Sequence, residues 1–107
     1  MRDDRERIHD IQVAVDRAIS YRAHLADEEP LGRMAYDAIL RNLAVIGEAV
    51  ARLPESVTAV IDQPWASIRG LRNIVVHEYF AVDPETITDI VDHYLAPLSA
   101  ALDDYVA

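Results

Sequence analysis

The sequence predicts an all-α fold, an antiparallel bundle of four helices. Three observations lead there. Apolar residues recur every three or four positions through most of the chain, as the buried stripe of a helix requires. No stretch alternates apolar and polar residues in the manner of a half-buried strand. The chain has only three glycines, so the residue that tight β-turns depend on is scarce, and prolines stand where the helical stripes stop.

Helix one opens at Asp3, which with Glu6 forms a capping box, and runs through Ile8, Ile11, Val15, Ile19 and Leu25 until Pro30 and Gly32. Helix two carries Ala35, Ile39, Leu43, Ile46, Val50 and Leu53. Pro54 ends it, because a residue before proline is pushed out of the helical region. Residues 55–63 read equally as a short helical turn or a loop. Helix three has Pro64 in its first turn, where a missing N–H costs nothing, and buries Ile68, Leu71, Ile74 and Val75. Helix four is capped by Asp83 with Pro84 behind it, continues through Ile87, Val91, Tyr94, Leu98, Leu102 and Tyr105, and should kink at Pro97. Gly47 is expected to let two helices approach closely, and Trp65 to sit in the core or an interface.

At 107 residues the chain reads as one domain, residues 1–107, of a size that buries roughly 60–70% of its unfolded surface without a disulfide or metal. The absence of cysteine removes thiol nucleophiles, thiolate metal sites and redox motifs from the candidate activities. No apolar run approaches the ~18 residues of a membrane span, and MRDDRERIHD is charged where a signal peptide needs an apolar block. A cytoplasmic protein with no membrane partner is expected. With 51% of residues hydrophobic, four short helices leave apolar surface over, which a homodimer would cover economically.

The net charge of −9 argues against a protein that coats nucleic acid by electrostatics alone, since phosphate binding is driven by counterion release to basic side chains. Local distribution matters more. Between Asp62 and Glu78 lies the longest stretch without a carboxylate, and it contains Arg69, Arg72 and His77. All ten basic residues are arginine, the side chain suited to bidentate phosphate contacts.

The segment RNIVVHEY, Arg72 to Tyr79, concentrates the chemistry. On a helical wheel with Arg69 at zero, Arg72 falls near about −60°, Val76 near −20°, Asn73 near +40° and His77 near +80°. The polar groups thus share one face, flanking it rather than stacking, with Ile68, Leu71 and Val75 behind. An imidazole titrates near about pH 6.5, so His77 could take a proton from a ribose 2′-hydroxyl or give one to a leaving 5′-oxygen. Arg72 would neutralise charge on the phosphoryl oxygens, and Asn73 would add a hydrogen bond. RNA supplies its own nucleophile, so neither a protein nucleophile nor a metal is needed, and the product is a 2′,3′-cyclic phosphate. His9, His24, His77 and His93 show no HxxxH or HExxH spacing, so no metal and no cofactor are expected. A twofold axis would bring two arginines and two histidines into one cleft.

Arg72, Asn73, His77 and Tyr79 together form R-N-x-x-x-H-x-Y, which resembles the RX4HXY motif of HepT-like toxins, the DUF86 branch of the HEPN superfamily. The likeness extends to Ile46-Gly47-Glu48-Ala49, Pro64-Trp65, Gly70-Leu71-Arg72-Asn73 and Asp83-Pro84-Glu85, in the same order. The resemblance implies a HEPN-like bundle that dimerises, and a metal-independent endoribonuclease with Arg72 and His77 as catalytic pair. It implies a type VII-like toxin–antitoxin module, in which an MNT-type nucleotidyltransferase antitoxin transfers AMP to Tyr79. Added bulk and negative charge beside Arg72 would then block the RNA substrate.

Each residue also has a plainer reading. His77 could be a structural or surface histidine, Arg72 an ion-pair partner of Glu78 or of a neighbouring helix, and Asn73 a hydrogen-bond partner for a buried carbonyl. Tyr79 could be an ordinary half-buried tyrosine. Glu48 precedes Arg52 by four residues, which makes a surface pair the default and a supporting role behind His77 the alternative. Arg2, Arg5 and Arg7 alternate with acids and read as a solvated end rather than an RNA track. For the whole chain, the other class of function is a non-catalytic helical subunit that binds substrate or nucleotide for an associated nucleotidyltransferase.

Overall fold

The Asp3 carboxylate accepts the backbone N–H of Glu6 at 2.8 Å, capping helix α1 (Asp4–Tyr21) where the sequence places its start. The computed structural model describes residues 2–78 and 82–107. Helix α1 stops at Tyr21, short of the Leu25 that its apolar stripe reaches; a 3₁₀ turn over Arg22–His24 tightens the chain there. Helix α2 (Leu31–Ala51), capped by Pro30, takes in Gly32 and starts about a turn before the apolar stripe that marks it in the sequence. Pro30 takes the cap position, where no N–H is required, and its carbonyl accepts the first helical bond, from Met34 at 3.0 Å. The ambiguous segment after Pro54 contains a single helical turn, α3 (Glu55–Thr58). Half-buried Trp65 ties it down, its indole N–H shared between the carbonyls of Thr58 and Ile61 at 3.1 and 3.0 Å.

Two of the four expected helices are interrupted. The third is split at Gly70 into α4 (Trp65–Arg69) and α5 (Leu71–Glu78). Glycine is the weakest helix former after proline, and the bonds there are divided: the Gly70 carbonyl accepts from both Asn73 and Ile74, at 3.0 and 3.4 Å. The fourth consists of α6 (Pro84–Ile90), a π-helical turn over Val91–Leu95, and α7 (Ala96–Val106). The π turn is where the kink expected at Pro97 is absorbed. Pro97 has no N–H for the His93 carbonyl and its ring would crowd that group. The wider turn, closed by Ala96 N–H on the Val91 carbonyl, re-aims the backbone one turn earlier.

The connections make the bundle antiparallel. Arg7 at the start of α1 meets the Arg52 carbonyl at the end of α2 (3.4 Å). Gln12 bonds Asp103 at 3.0 Å and Arg22 bonds Asp92 at 2.7 Å, so α1 runs against the α6–α7 segment. Between the helices lies one core, with Ile11, Val15, Ile39, Leu43, Ile46, Leu71, Leu98 and Leu102 removed from solvent. Each such side chain contributes about 1.5–3 kcal/mol of transfer free energy. Among the described residues there is no strand, and no helix is long and apolar enough to cross a membrane.

Helix α2 packs on the break in helix three, and Gly47 makes this approach feasible. A Cβ there would lie 2.9 Å from the Arg72 backbone nitrogen and 3.1 Å from the Arg69 carbonyl oxygen. These are backbone atoms that cannot rotate away. On the far side of α5, buried Tyr36 donates its hydroxyl to the Val82 carbonyl at 2.5 Å, and Asp83 caps α6 through Thr86 N–H at 2.8 Å. Contacts at Gly47 and at Val82 and Asp83 thus lie before and after the motif.

Two outcomes test this packing. Gly47→Ala gains about 1 kcal/mol of helix propensity, but overpacking against fixed backbone costs about 1–3 kcal/mol. Denaturant unfolding should show net destabilisation; stabilisation would mean that α5 yields freely. Hydrogen bonds from the Thr86 backbone N–H and then its hydroxyl hold the Asp83 carboxyl below its ordinary value of 3.8. Its stabilisation is therefore complete above that value and lost as pH falls through the lower folded one. Asp83→Ala should lower Tm by a few degrees at neutral pH, whereas Asp83→Asn, which keeps the cap, should remove only this acid-dependent part.

Candidate active site

Helix α5 has Leu71 in the core with Ile74 and Val75 half-buried against it, and so turns Arg72, Asn73, Val76 and His77 to solvent. Three of the sequence-identified residues thus share the exposed side of one short helix. The fourth, Glu48, comes from α2. Because Gly47 seats α2 directly on the backbone of Arg72, the next side chain along α2 reaches the arginine, and the Glu48 Oε1 contacts Arg72 Nε. The second oxygen of Glu48 lies 3.9 Å from Arg52 Nη2. Glu48 is therefore more than the surface partner of Arg52 that its spacing suggests, and its contact within the site is Arg72 rather than His77.

The side chains of Arg72 and Glu48 keep 49% and 46% of their surface in water. A pair that exposed adds about 1 kcal/mol or less to stability, so its consequence is geometric. One carboxylate oxygen on Nε fixes the plane of the guanidinium while the arginine remains open to a second anion. Of the plain readings, the ion pair with a neighbouring helix is present for Arg72. It does not consume the residue, because Glu48 is itself divided between two arginines. His77, in the last turn of α5, is exposed and makes no hydrogen bond or ion pair with the described residues. Tyr79 and the side chain of Glu78 lie outside the described residues.

Arg72 and His77 are five positions apart on α5, about 140° around the helix and ~7.5 Å along it. Within one chain they flank the exposed side of α5, with Val76, 55% exposed, between them.

One feature of this surface escapes residue-by-residue reading of the sequence. An open groove of about 720 Å³ between α1 and α2 is walled by Arg2, Arg7, Arg17, Arg41 and Arg52, and Glu48 closes it on the side of Arg72. Arg2 behaves as the solvated-end reading expects, bonded to Asp10 with its Nε at 3.0 Å. Arg7 does not, since it lies in the groove and reaches toward α2. The available signal was helical spacing on two outward faces, Arg41, Val45, Glu48 and Arg52 on α2 and His9, Asp10, Val13 and Arg17 on α1. Their meeting in one groove is a tertiary fact.

Comparison with known proteins agrees with this architecture. The family model described as Ribonuclease HepT-like matches residues 7–104. A candidate RNase of Methanocaldococcus jannaschii, MJ0127, is 35% identical over 92 residues, covering 84% of this chain and 76% of that protein. A second from the same organism, MJ1216, is 32% identical over 88 residues, covering 80% and 73%. A third, MJ0125, is likewise 32% identical over 88 residues, covering 80% and 76%. No solved structure matches the chain. A match over nearly the full length, on an all-α bundle that presents Arg72, Asn73 and His77 together, means that this chain belongs to the HepT-like ribonuclease family.

Proposed function

We propose that the chain is a metal-independent endoribonuclease, the toxin of a two-gene module, acting in the cytoplasm as a homodimer. A neighbouring MNT-type nucleotidyltransferase silences it by transferring AMP to Tyr79. The observation that carries the reading is the joint exposure of Arg72, Asn73 and His77 on α5, with the Arg72 guanidinium oriented from behind by Glu48.

The chemistry needs no more than these groups. A histidine removes the proton of the ribose 2′-hydroxyl as its oxygen bonds to phosphorus. The bond from phosphorus to the 5′-oxygen breaks, and that oxygen leaves with a proton supplied by a histidine. The products are a 2′,3′-cyclic phosphate and a 5′-hydroxyl, with no water consumed. Arg72 stabilises the negative charge that gathers on the equatorial oxygens, and Asn73 donates to one of them. Glu48 acts as a positioning residue. A second copy of α5 across a twofold axis supports the arrangement, since it sets one protomer's histidine against the other's arginine and covers exposed Val76.

The test is expression of the chain without its genomic neighbour. Wild type should arrest growth and leave RNA fragments with cyclic-phosphate ends, in the presence of a chelator as in its absence. His77→Ala and Arg72→Ala should each reduce cleavage by about 10²–10⁴-fold, while thermal unfolding shows them folded. Co-expression with the neighbour should add the mass of AMP to Tyr79 and abolish cleavage. A wild type verified as unmodified that leaves RNA intact would sink the enzyme reading in favour of a non-catalytic subunit of a nucleotidyltransferase.

A further inference from the structure

We infer that the groove between α1 and α2 is an RNA-backbone track that holds the strand flanking the scissile linkage, with Arg17 and Arg41 as its principal phosphate contacts. The chemical step rests on the ribonuclease reading above, whereas the binding does not.

The charge distribution makes the case. The chain carries −9 overall, with 19 carboxylates against ten arginines, so an arginine without an acidic partner is unexpected. Yet half of the arginines wall this one groove, five of them against two carboxylates, a local excess of three positive charges. Outside the groove Arg22 is paired with Asp92 at 2.7 Å, Arg33 with Asp37 at 3.5 Å and Arg72 with Glu48, while Arg5 and Arg69 stand apart from one another and form no cluster. Arg7, Arg17 and Arg41 form no ion pair with any described residue. Unpaired cations facing one another repel unless an anion lies between them, so the groove is complementary to a polyanion.

Its shape favours a strand over a single ion. Arg7 and Arg17 are ten residues apart on α1 and Arg41 and Arg52 eleven apart on α2, so the basic walls run for ~15 Å. That length takes several nucleotides, as in other proteins where a basic groove follows a single strand. The floor is lined by Ala14, Ala44, Ala49, Val13 and Val45, side chains short enough for sugars to settle between the walls. Glu48 lines the groove and its carboxylate, offset by Arg52 and Arg72, contacts Arg72, so the groove ends within one side chain of the proposed reacting phosphate. An acidic polypeptide would satisfy the charge but gains nothing from that continuity with the site.

Arg17→Gln/Arg41→Gln tests the inference. Both residues are exposed and unpaired, so the variant should unfold at the wild-type temperature. Arg5→Gln, outside the groove, is the charge control. Fluorescence anisotropy with a labelled single-stranded RNA of about 20 nucleotides should show at least tenfold weaker binding. The slope of log K against log salt should shrink by about 1.4, or ~0.7 for each lost phosphate contact. Cleavage of a dinucleotide should stay within twofold of wild type while kcat/KM for the long RNA falls about tenfold. Unchanged RNA affinity and salt slope would overturn the track, as would a loss of affinity confined to poly-glutamate, which would assign the groove to an acidic polypeptide. A wild type that binds RNA through these arginines without cutting it would leave the track standing and refute the ribonuclease reading alone.

Discussion

The approach of α2 to the backbone of helix three is the constraint on which the site depends. With no side chain at Gly47, the two helices meet at the level of peptide groups, 2.9 Å from where a Cβ would sit to the Arg72 nitrogen. Three consequences follow from that contact. Glu48, the next residue on α2, is delivered to the Arg72 guanidinium. The hydrophobic stripe of α5, Leu71 with Ile74 and Val75, joins the core that also holds Ile46 and Leu43 of α2, so its polar side must face out. The break at Gly70 is braced by α2, which lets α4 and α5 remain separate helices without losing the core position of Ile68 or Leu71. A larger residue at position 47 would disturb the packing and the orientation of the arginine at once.

An acidic body with a small basic region is a physical arrangement with its own logic. A uniformly basic protein would bind any polyanion through counterion release. Here the outer surface repels phosphate, and ion pairs such as Arg2–Asp10 and Arg22–Asp92 spend their arginines on neighbouring acids. The unpaired Arg7, Arg17 and Arg41 on the α1–α2 wall concentrate positive charge in one groove, with Glu48, shared between Arg52 and Arg72, at its edge. Restricting the attractive field to one groove raises discrimination between positions on the surface more than it raises total affinity.

Much of the fold was legible because local rules and tertiary packing agree. Asp3 and Asp83 cap helices as their spacing with Glu6 and Thr86 suggests, Pro54 ends α2, and the apolar stripes name most of the core. Disagreement arose where one residue has two solutions. Pro97 could bend its helix or be accommodated by a wider turn upstream, and only the packing of α7 on α1 selects the π turn. Gly70 could continue a helix or divide it, and contact with Gly47 decides. The outward set of Arg72, Asn73 and His77 was readable from periodicity on α5 alone. The partner of Arg72 was not, since Glu48 has an equally good neighbour four residues on in its own helix. The basic groove was hidden for the same reason, being shared between helices whose arginines are far apart in sequence.

A single helix sets a limit on what Arg72 and His77 can do together. Five residues turn the helix by about 140°, so the two side chains diverge from its axis and flank a bound phosphate rather than stack over it. Helix α2 packs against the start of α5 at Gly47, and beyond the motif Val82 accepts the Tyr36 hydroxyl while Asp83 caps α6. A helix that presents two groups on divergent flanks is better matched to a second helix than to itself, which is the arrangement the proposed dimer would supply. Placed antiparallel across a twofold axis, each arginine lies near the opposite histidine, and Val76, exposed between them, is the apolar contact at the centre. Under the proposed dimeric ribonuclease, the fixed angle between the two groups on each helix would make the paired site well defined. The groups would then need no rearrangement once the two surfaces met, and the entropy of aligning them would be spent on assembly rather than at each turnover.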